Sequence, residues 1–237
     1  MLDGVRVPSW SACDGRTGQR LVFRDAARGA RAILAISGGI AVPFVLGSQS
    51  TDVRGQFGGF CGRALRDGDS IPLEPARFFP AAPLRVKPPD WQFDADPIGV
   101  VRTPEYAAFD ARSRTSFWNN PWLVSPESDR MGLRLHGDAL RYEGETHVHS
   151  HAVFPGVIQV PPSGQPIVLL GDAPTTGGYP KIGIVRNADR WKLAQAQVGS
   201  LVRFVESTLS EAEESLDNLE RYVTRVKSGI ESRRTYD

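Results

Sequence analysis

Hydrophobic and polar positions alternate in short runs along most of this chain, and turn residues interrupt the runs every few positions. The apolar runs with strand character are Gln19–Arg24, Ala30–Ser37, Ile98–Arg102, Gly132–His136, His147–Phe154, Ile167–Leu170, Ile182–Val185 and Leu201–Val205, with a further candidate at Leu2–Pro8. Runs of this length, bounded by Gly, Pro, Asn and Ser, predict many short strands rather than long helices. Residues Pro104–Trp118 allow a short helix. Only the C-terminus has a sustained helical period. There Ala212, Leu216, Leu219, Val223, Val226 and Ile230 recur at spacings of four and three, a stripe on one helix face. Ser210 with Glu213 three residues later has the form of a capping box opening that helix. A mainly β protein ending in an amphipathic α-helix is expected, the helix lying on its own domain or pairing with a second copy.

Composition adds boundaries. The 24 glycines and 18 prolines punctuate the chain almost to residue 200. Prolines concentrate at Pro80, Pro83, Pro88, Pro89 and Pro97, where neither a central strand nor a helix interior can continue. The chain is therefore expected to divide into a first β subdomain (1–95), a second (96–207) and a terminal helix (208–237). The apolar stretch Ala32–Leu46 is too short to cross a bilayer, and Ser37-Gly38-Gly39 and Pro43 break it. A strand, a turn and a second buried segment are expected there. No apolar leader follows Met1, which predicts a cytoplasmic location.

Net charge is +1, so no basic field draws the chain to nucleic acid or to an anionic membrane. Four of the 28 basic residues are lysines, Lys87, Lys181, Lys192 and Lys227, and the rest are arginines. Cys13 and Cys61 form no metal or redox motif, and two cysteines in a chain of this size do not make a disulfide scaffold. His147, His149 and His151 alternate and would share a strand face. Neighbours on such a face stand about 7 Å apart, too far for all three to reach one metal ion easily. No metal site is expected from them.

Standard catalytic signatures are missing: there is no P-loop, no Gly-x-Ser-x-Gly elbow, no His-Glu-x-x-His, and no lysine between methionines to accept biotin. Three other clusters carry candidate chemistry. The first joins Ser37-Gly38-Gly39-Ile40, Leu46-Gly47-Ser48-Gln49-Ser50-Thr51 and Gly58-Gly59-Phe60-Cys61-Gly62-Arg63, where hydroxyls beside glycines form either plain turns or a nest for an anion or a carbonyl. The second, Ser128-Asp129-Arg130-Met131-Gly132-Leu133-Arg134, brings an Asp and two Arg to a strand entrance, as a structural ion pair or as a substrate clamp. The third runs from Phe154 through Gln159 and the apolar strand to Asp172, then through Thr175, Thr176, Gly177, Gly178, Tyr179 and Lys181. Asp172 has the position of a base or of a group orienting one, and the hydroxyls and glycine amides that follow could hold a carbonyl or phosphoryl oxygen.

In this order the clusters resemble the family that includes the C component of 5-oxoprolinase, the antagonist of the bacterial kinase inhibitor, and the carboxyltransferase region of urea amidolyase. The stretches that carry the likeness are Gly38-Gly39-Ile40 with Leu46–Thr51, Gly58-Gly59-Phe60 with Gly62–Leu65, Ser128–Gly132 with Arg134-Leu135, Pro155-Gly156 with Ile158–Pro161, and Thr175–Pro180. The resemblance covers roughly residues 3–207. It implies cyclophilin-like β-barrel subdomains. It also implies one member of a hetero-oligomer, which meets a similar B component, and an A component, around a small amide substrate. ATP acts through the complex, and biotin takes part in the urea-carboxylating branch. Asp129, Arg130 and Asp172 are the expected catalytic residues. Ser50, Thr51, Gln159, Thr175, Thr176, Gly177, Gly178 and Tyr179 are the expected substrate contacts. The best-fitting activity is the opening of 5-oxoproline to glutamate; urea carboxyltransfer and a non-catalytic regulatory role are the alternatives, and proline isomerisation follows from fold analogy alone.

Two departures from the family pattern bear on activity. The segment with which the family usually begins, opening with a Thr-x-Gln-Asp-x-Gly-Arg motif, has no counterpart before Met1-Leu2-Asp3-Gly4, so a partner is expected to supply that layer or the chain to be shortened. His151 stands where the family commonly has an acidic residue.

Overall fold

The computed structural model describes residues 1–24, 29–75, 84–89, 97–144 and 149–232. Its centre is one eight-stranded sheet. The strands are β3 (Ile98–Arg102), β4 (Trp122–Val124), β5 (Gly132–His136), β7 (Val157–Gln159), β8 (Ile167–Leu169), β10 (Lys181–Val185), β11 (Leu201–Val202) and β12 (Phe204–Glu206). Their spatial order is β11-β4-β5-β8-β7-β10-β3-β12. All neighbours are antiparallel except β12, which runs parallel to β3. The two outer strands are consecutive in sequence, with Arg203 alone between them. A single bent segment thus pairs with β4 on one side and β3 on the other, and its Arg203 carbonyl accepts the Ile98 N–H at 2.8 Å. The sheet closes on itself as a barrel, which removes the exposed edges that would otherwise template further strands.

Alternation along each strand decides what fills the barrel. Leu133 and Leu135 of β5, Ile158 of β7, Val168 of β8, Ile182 and Val185 of β10, and Ile98 and Val100 of β3 all belong to one core. Helix α1 (Ala111–Asn119), capped by Asp110 whose carboxylate accepts the Ser113 N–H at 2.6 Å, delivers Phe117 to the same core. Phe117 stacks on Phe204 with ring centroids 5.0 Å apart and lies 6.2 Å from Trp122. Phe117 and Trp122 are fully buried, each stabilising the fold by roughly 1.5–3 kcal/mol or more through area removed from water. Apart from Pro89, every buried hydrophobic side chain among the described residues lies between Ile98 and Phe204.

The outward faces of β7, β8 and β10 make a second, smaller core. Val157 and Leu169 pack there with Val153, and Ile167, Ala173 and Ile184 flank them. This face is crossed by a two-stranded ribbon, β6 (His151–Ala152) paired with β9 (Thr176–Gly177).

Residues before 90 are built differently. The described residues there hold one short hairpin, β1 (Thr51–Asp52) with β2 (Phe57–Gly58), and isolated bridges such as Leu2↔Leu21 and Ile40↔Leu73. The strands expected at Gln19–Arg24 and Ala30–Ser37 do not form among the described residues. The Ala32–Leu46 stretch is also not buried: Ile33 is 94% exposed and Leu46 91%. Period-2 apolarity yields a strand only where a neighbouring strand and a core receive it, and none does so here. The link to the barrel is polar. Gln195 of α2 (Arg190–Gln195) accepts the Ala30 and Arg31 N–H groups, both at 3.0 Å, and donates to the Arg31 carbonyl at the same distance.

The terminal helix α3 (Leu209–Glu231) forms as its periodicity predicts, but its capping box is Thr208 with Glu211, two residues before the expected Ser210 and Glu213. Both pairs have the same sequence form. The extended β12 ends at Glu206, so the first cap after it takes the role. The helix rests on the Asn187–Asp189 turn and on β3, and Tyr222 Oη donates to the Lys87 carbonyl at 2.9 Å. Among the described residues no helix is long and apolar enough to cross a membrane. Of the expected boundary, residues 76–83, which include Pro80 and Pro83, and residues 90–96 lie outside the described residues.

Candidate functional site

The expected site residues fall into two groups at opposite ends of β8. At the C-terminal end, Arg130 meets Asp172: Arg130 Nε lies 2.7 Å from Asp172 Oδ2, and Nη2 donates to Oδ1 at 3.0 Å. The strands themselves enforce the meeting, because β5 and β8 pair and the Asp172 N–H donates to the Arg130 carbonyl at 3.0 Å. Both side chains are about half exposed or more, at 64% and 47%. Asp129 folds its own turn: its Oδ1 accepts the Met131 and Gly132 N–H groups at 2.8 and 3.0 Å. The β1–β2 hairpin comes to this end too, with Arg54 Nη1 of its turn 2.6 Å from Met131 Sδ. Ser50 and Thr51 arrive with it. Ser50 donates its N–H to Ser48 Oγ at 3.0 Å, and Thr51 pairs with Gly58.

At the other end the polar groups are buried. Gln159 and Lys181 are directly opposed on β7 and β10, so both side chains project from the same face of the sheet. They share the outward face with Val157, beneath the ribbon. Gln159 is 5% exposed, and its Nε2 has no hydrogen-bond partner among the described residues. The Lys181 side chain is 6% exposed. Its Nζ donates to the Tyr179 carbonyl at 2.9 Å and stands 3.9 Å from Glu105 Oε1. Burial pushes the Lys181 ammonium below its ordinary value, while Glu105 works in the opposite direction. Glu105 is held in place because its Oε2 accepts the Lys181 backbone N–H at 2.6 Å. Thr103 Oγ1 bonds to the Lys181 carbonyl as well.

The ribbon completes this group. Gly177 lies against Gln159, and a Cβ at that position would stand 2.4 Å from Nε2. Its backbone needs no positive φ, so glycine is required there by the close approach of the amide. His151 Nδ1 is 3.0 Å from the His149 carbonyl, and Nε2 is 3.6 Å from Glu105 Oε1. A carbonyl only accepts, so Nδ1 carries the hydrogen and Nε2 turns toward Glu105. The strand expected over His147–Phe154 is reduced to His151–Ala152 among the described residues, and His147 lies outside them. The described residues contain no group of three or more His, Cys, Asp or Glu able to hold a metal.

Thr175, Thr176 and Tyr179 remain largely exposed on or after the ribbon, and Gly178 is half-buried. The Thr175 carbonyl accepts the Val153 N–H at 3.0 Å. Gln159 pairs with Ile167 at the start of β8, while Asp172 lies in the turn that follows Leu169 at its end. The sequence singled out Gln159, Gly177 and Tyr179, but not Glu105 or its pairing with Lys181. Lysine is scarce in this chain, and Lys181 at the start of an apolar strand was the available signal. Hollows along α3, including a groove of about 560 Å³ between it and Leu84–Pro89, contain none of the expected residues.

Comparison with known proteins agrees with this architecture. Residues 1–206 match the family model described as carboxyltransferase domain, subdomain A and B. The C component of 5-oxoprolinase from Escherichia coli K12 is 42% identical over 211 residues, covering 89% of this chain and 67% of that protein. The protein of the same name from Haemophilus influenzae is 36% identical, covering 98% and 74%. The crystal structure of the Kluyveromyces lactis urea carboxylase superposes with a TM-score of 0.70 at 28% identity, covering 83% of this chain and 20% of that one. This chain thus spans about two thirds to three quarters of the two 5-oxoprolinase components and a fifth of the urea carboxylase. The chain belongs to the family of carboxyltransferase domains, subdomains A and B.

Proposed function

We propose that this chain acts as the C component of an ATP-dependent 5-oxoprolinase and contributes one half of the site at which the lactam of 5-oxoproline is opened to glutamate, with the A and B components completing it. The observation that carries this reading is the 42% identity over 89% of the chain to a protein of that name. A buried, incompletely satisfied polar cluster supports it, since such clusters occur where a ligand completes the bonding. Amide opening needs a hold on the carbonyl oxygen and a route for the proton that leaves the attacking water and reaches the departing nitrogen. In this reading Gln159 and Lys181 hold the oxygen, and His151 with Glu105 moves the proton. Residues 96–207 supply most of the site, and residues 1–95 supply Ser50 and Thr51 and contacts to the partner proteins. ATP binds through the complex. Ser50, Thr51, Asp129, Arg130 and Asp172, at the far end of β8, face the portion of the site that the partners complete.

Co-expression with the A and B components of the same genome should yield ATP-dependent release of glutamate from 5-oxoproline, lost when this chain is omitted. The structural likeness to a urea carboxylase at 28% identity favours a second reading, biotin-dependent carboxyl transfer to urea. Carboxylation of urea by this chain supplied with a biotinylated carrier, in the absence of 5-oxoproline turnover, would replace the first reading by the second.

A further inference from the structure

The bonding of two buried polar groups differs in a way that points to a ligand. Asp189, 4% exposed, is fully engaged: it accepts from Gly99 N at 2.8 Å and from Arg186 Nε at 2.5 Å, and Lys192 Nζ lies 3.0 Å away. That carboxylate is a structural knot tying the 187–195 turn to β3. Gln159 is equally buried, yet its Nε2 has no partner among the described residues. A buried amide left without an acceptor is destabilising, so such a group persists where something outside the chain completes it.

The missing acceptor can be characterised by charge. Gln159 Nε2 lies against Gly177, and Lys181 Nζ reaches the carbonyl of Tyr179 two residues further on. Both donors therefore end at the 177–179 stretch, under the ribbon. The Lys181 ammonium has spare hydrogens, since it makes one short bond and one contact at 3.9 Å. Its charge is already offset by Glu105, and His151 spends its Nδ1 hydrogen on the His149 carbonyl. An incoming carboxylate would add an uncompensated negative charge beside Glu105 in a water-poor site. An uncharged oxygen would not.

We propose that Gln159 Nε2 and Lys181 Nζ form a subsite for the carbonyl oxygen of a neutral amide, entered beneath the β6–β9 ribbon, and that this subsite discriminates against carboxylates. It deepens the amide-processing reading above and rests on it only for the choice of probe. Gly177 lies against Nε2, and a side chain there would close the approach to the amide.

The test uses the full chain alone, labelled with nitrogen-15. The side-chain amide signals of Gln159 are assigned by their disappearance in Gln159→Leu. Titration with 2-pyrrolidinone, a lactam without a carboxylate, should move these signals to a plateau, while sodium acetate at matched ionic strength leaves them in place. Gly177→Ala should abolish the lactam response and preserve the rest of the spectrum. Gln159→Leu should raise the melting temperature by about 3 °C, because it removes an unsatisfied buried amide. Equal movement with acetate, no movement with the lactam, or a lowered melting temperature in Gln159→Leu would each overturn the proposal. Absence of 5-oxoproline turnover in the reconstituted complex, with the lactam titration intact, would instead remove the reading above and leave this subsite standing.

Discussion

The two ends of β8 contain the same kinds of groups, a carboxylate and a cation, in opposite physical settings. Arg130 and Asp172 form a two-point ion pair in the open, with side chains 64% and 47% exposed. Lys181 and Glu105 meet more loosely, at 3.9 Å, but Lys181 is almost wholly covered. Exposed pairs of the first kind contribute roughly 0–1 kcal/mol, because solvent already satisfies both partners and screens the attraction. Buried groups of the second kind are costly to leave half satisfied and are strongly altered by any ligand that reaches them. Good geometry alone is therefore a poor guide to chemistry. The better-formed pair contributes little to stability, and the buried cluster is the one that a ligand reaching it would alter more.

The sharpest way to break this comparison is in the reconstituted complex. Lys181→Met should reduce glutamate release by about 100-fold or more, the loss expected when a buried donor to a reacting oxygen is removed. Asp172→Asn should reduce it less, and change stability by less than about 1 kcal/mol. Comparable losses from both variants, measured as steady-state rates, would erase the distinction drawn between the two ends.

A second measurement concerns alkaline pH. Burial lowers the Lys181 value in the folded chain, so between that value and the ordinary one near 10.4 the unfolded chain holds more protons. Stability should rise with pH across that window, and the rise should vanish in Lys181→Met. Denaturant melts at several alkaline pH values, compared between the two proteins, decide it.

A control outside both clusters is acid titration of Asp69. The Arg63 guanidinium, bonded to it at 2.7 and 2.8 Å, holds its value at about 2. Its contribution to stability is present above the ordinary carboxylate range and lost as pH falls through about 2. Arg63→Ala should move the Asp69 titration, followed by NMR, up toward its ordinary value. The smallest effect belongs to the helix cap. Thr208→Ala should destabilise α3 by about 1 kcal/mol, visible as faster amide exchange in its first turn, while Ser210→Ala should leave that turn unchanged.

Much of the barrel was legible because its strands alternate and its core accepts the alternation. Ile98–Arg102 and Gly132–His136 form over the expected residues, and Ile167–Leu169 differs by one. Val157–Gln159, buried on all three residues, shows no strand pattern of its own because a strand covered on both faces does not alternate. The same alternation failed before residue 90, where Ile33 and Leu46 stay almost fully exposed. Arg130 and Asp172 were legible as candidates from their places at strand ends, and Gln159 and Gly177 from the motifs that carry the family likeness. Their division between two ends of one strand was not, since it depends on the β7–β8 pairing. Lys181 with Glu105 was hidden for the same reason: 76 residues separate them, and the bond from the Lys181 backbone N–H to Glu105 exists only once β10 has docked.

The bent segment 201–206 acts as a latch. Remove it, and β3 and β4 each become a raw, hydrogen-bond-hungry border, so a variant ending at residue 200 should stick to itself rather than merely melt sooner. Because α3 begins three residues after the latch, the helix also anchors it from behind, and a tag or fusion placed between Glu206 and Leu209 would put pressure on the barrel's seam.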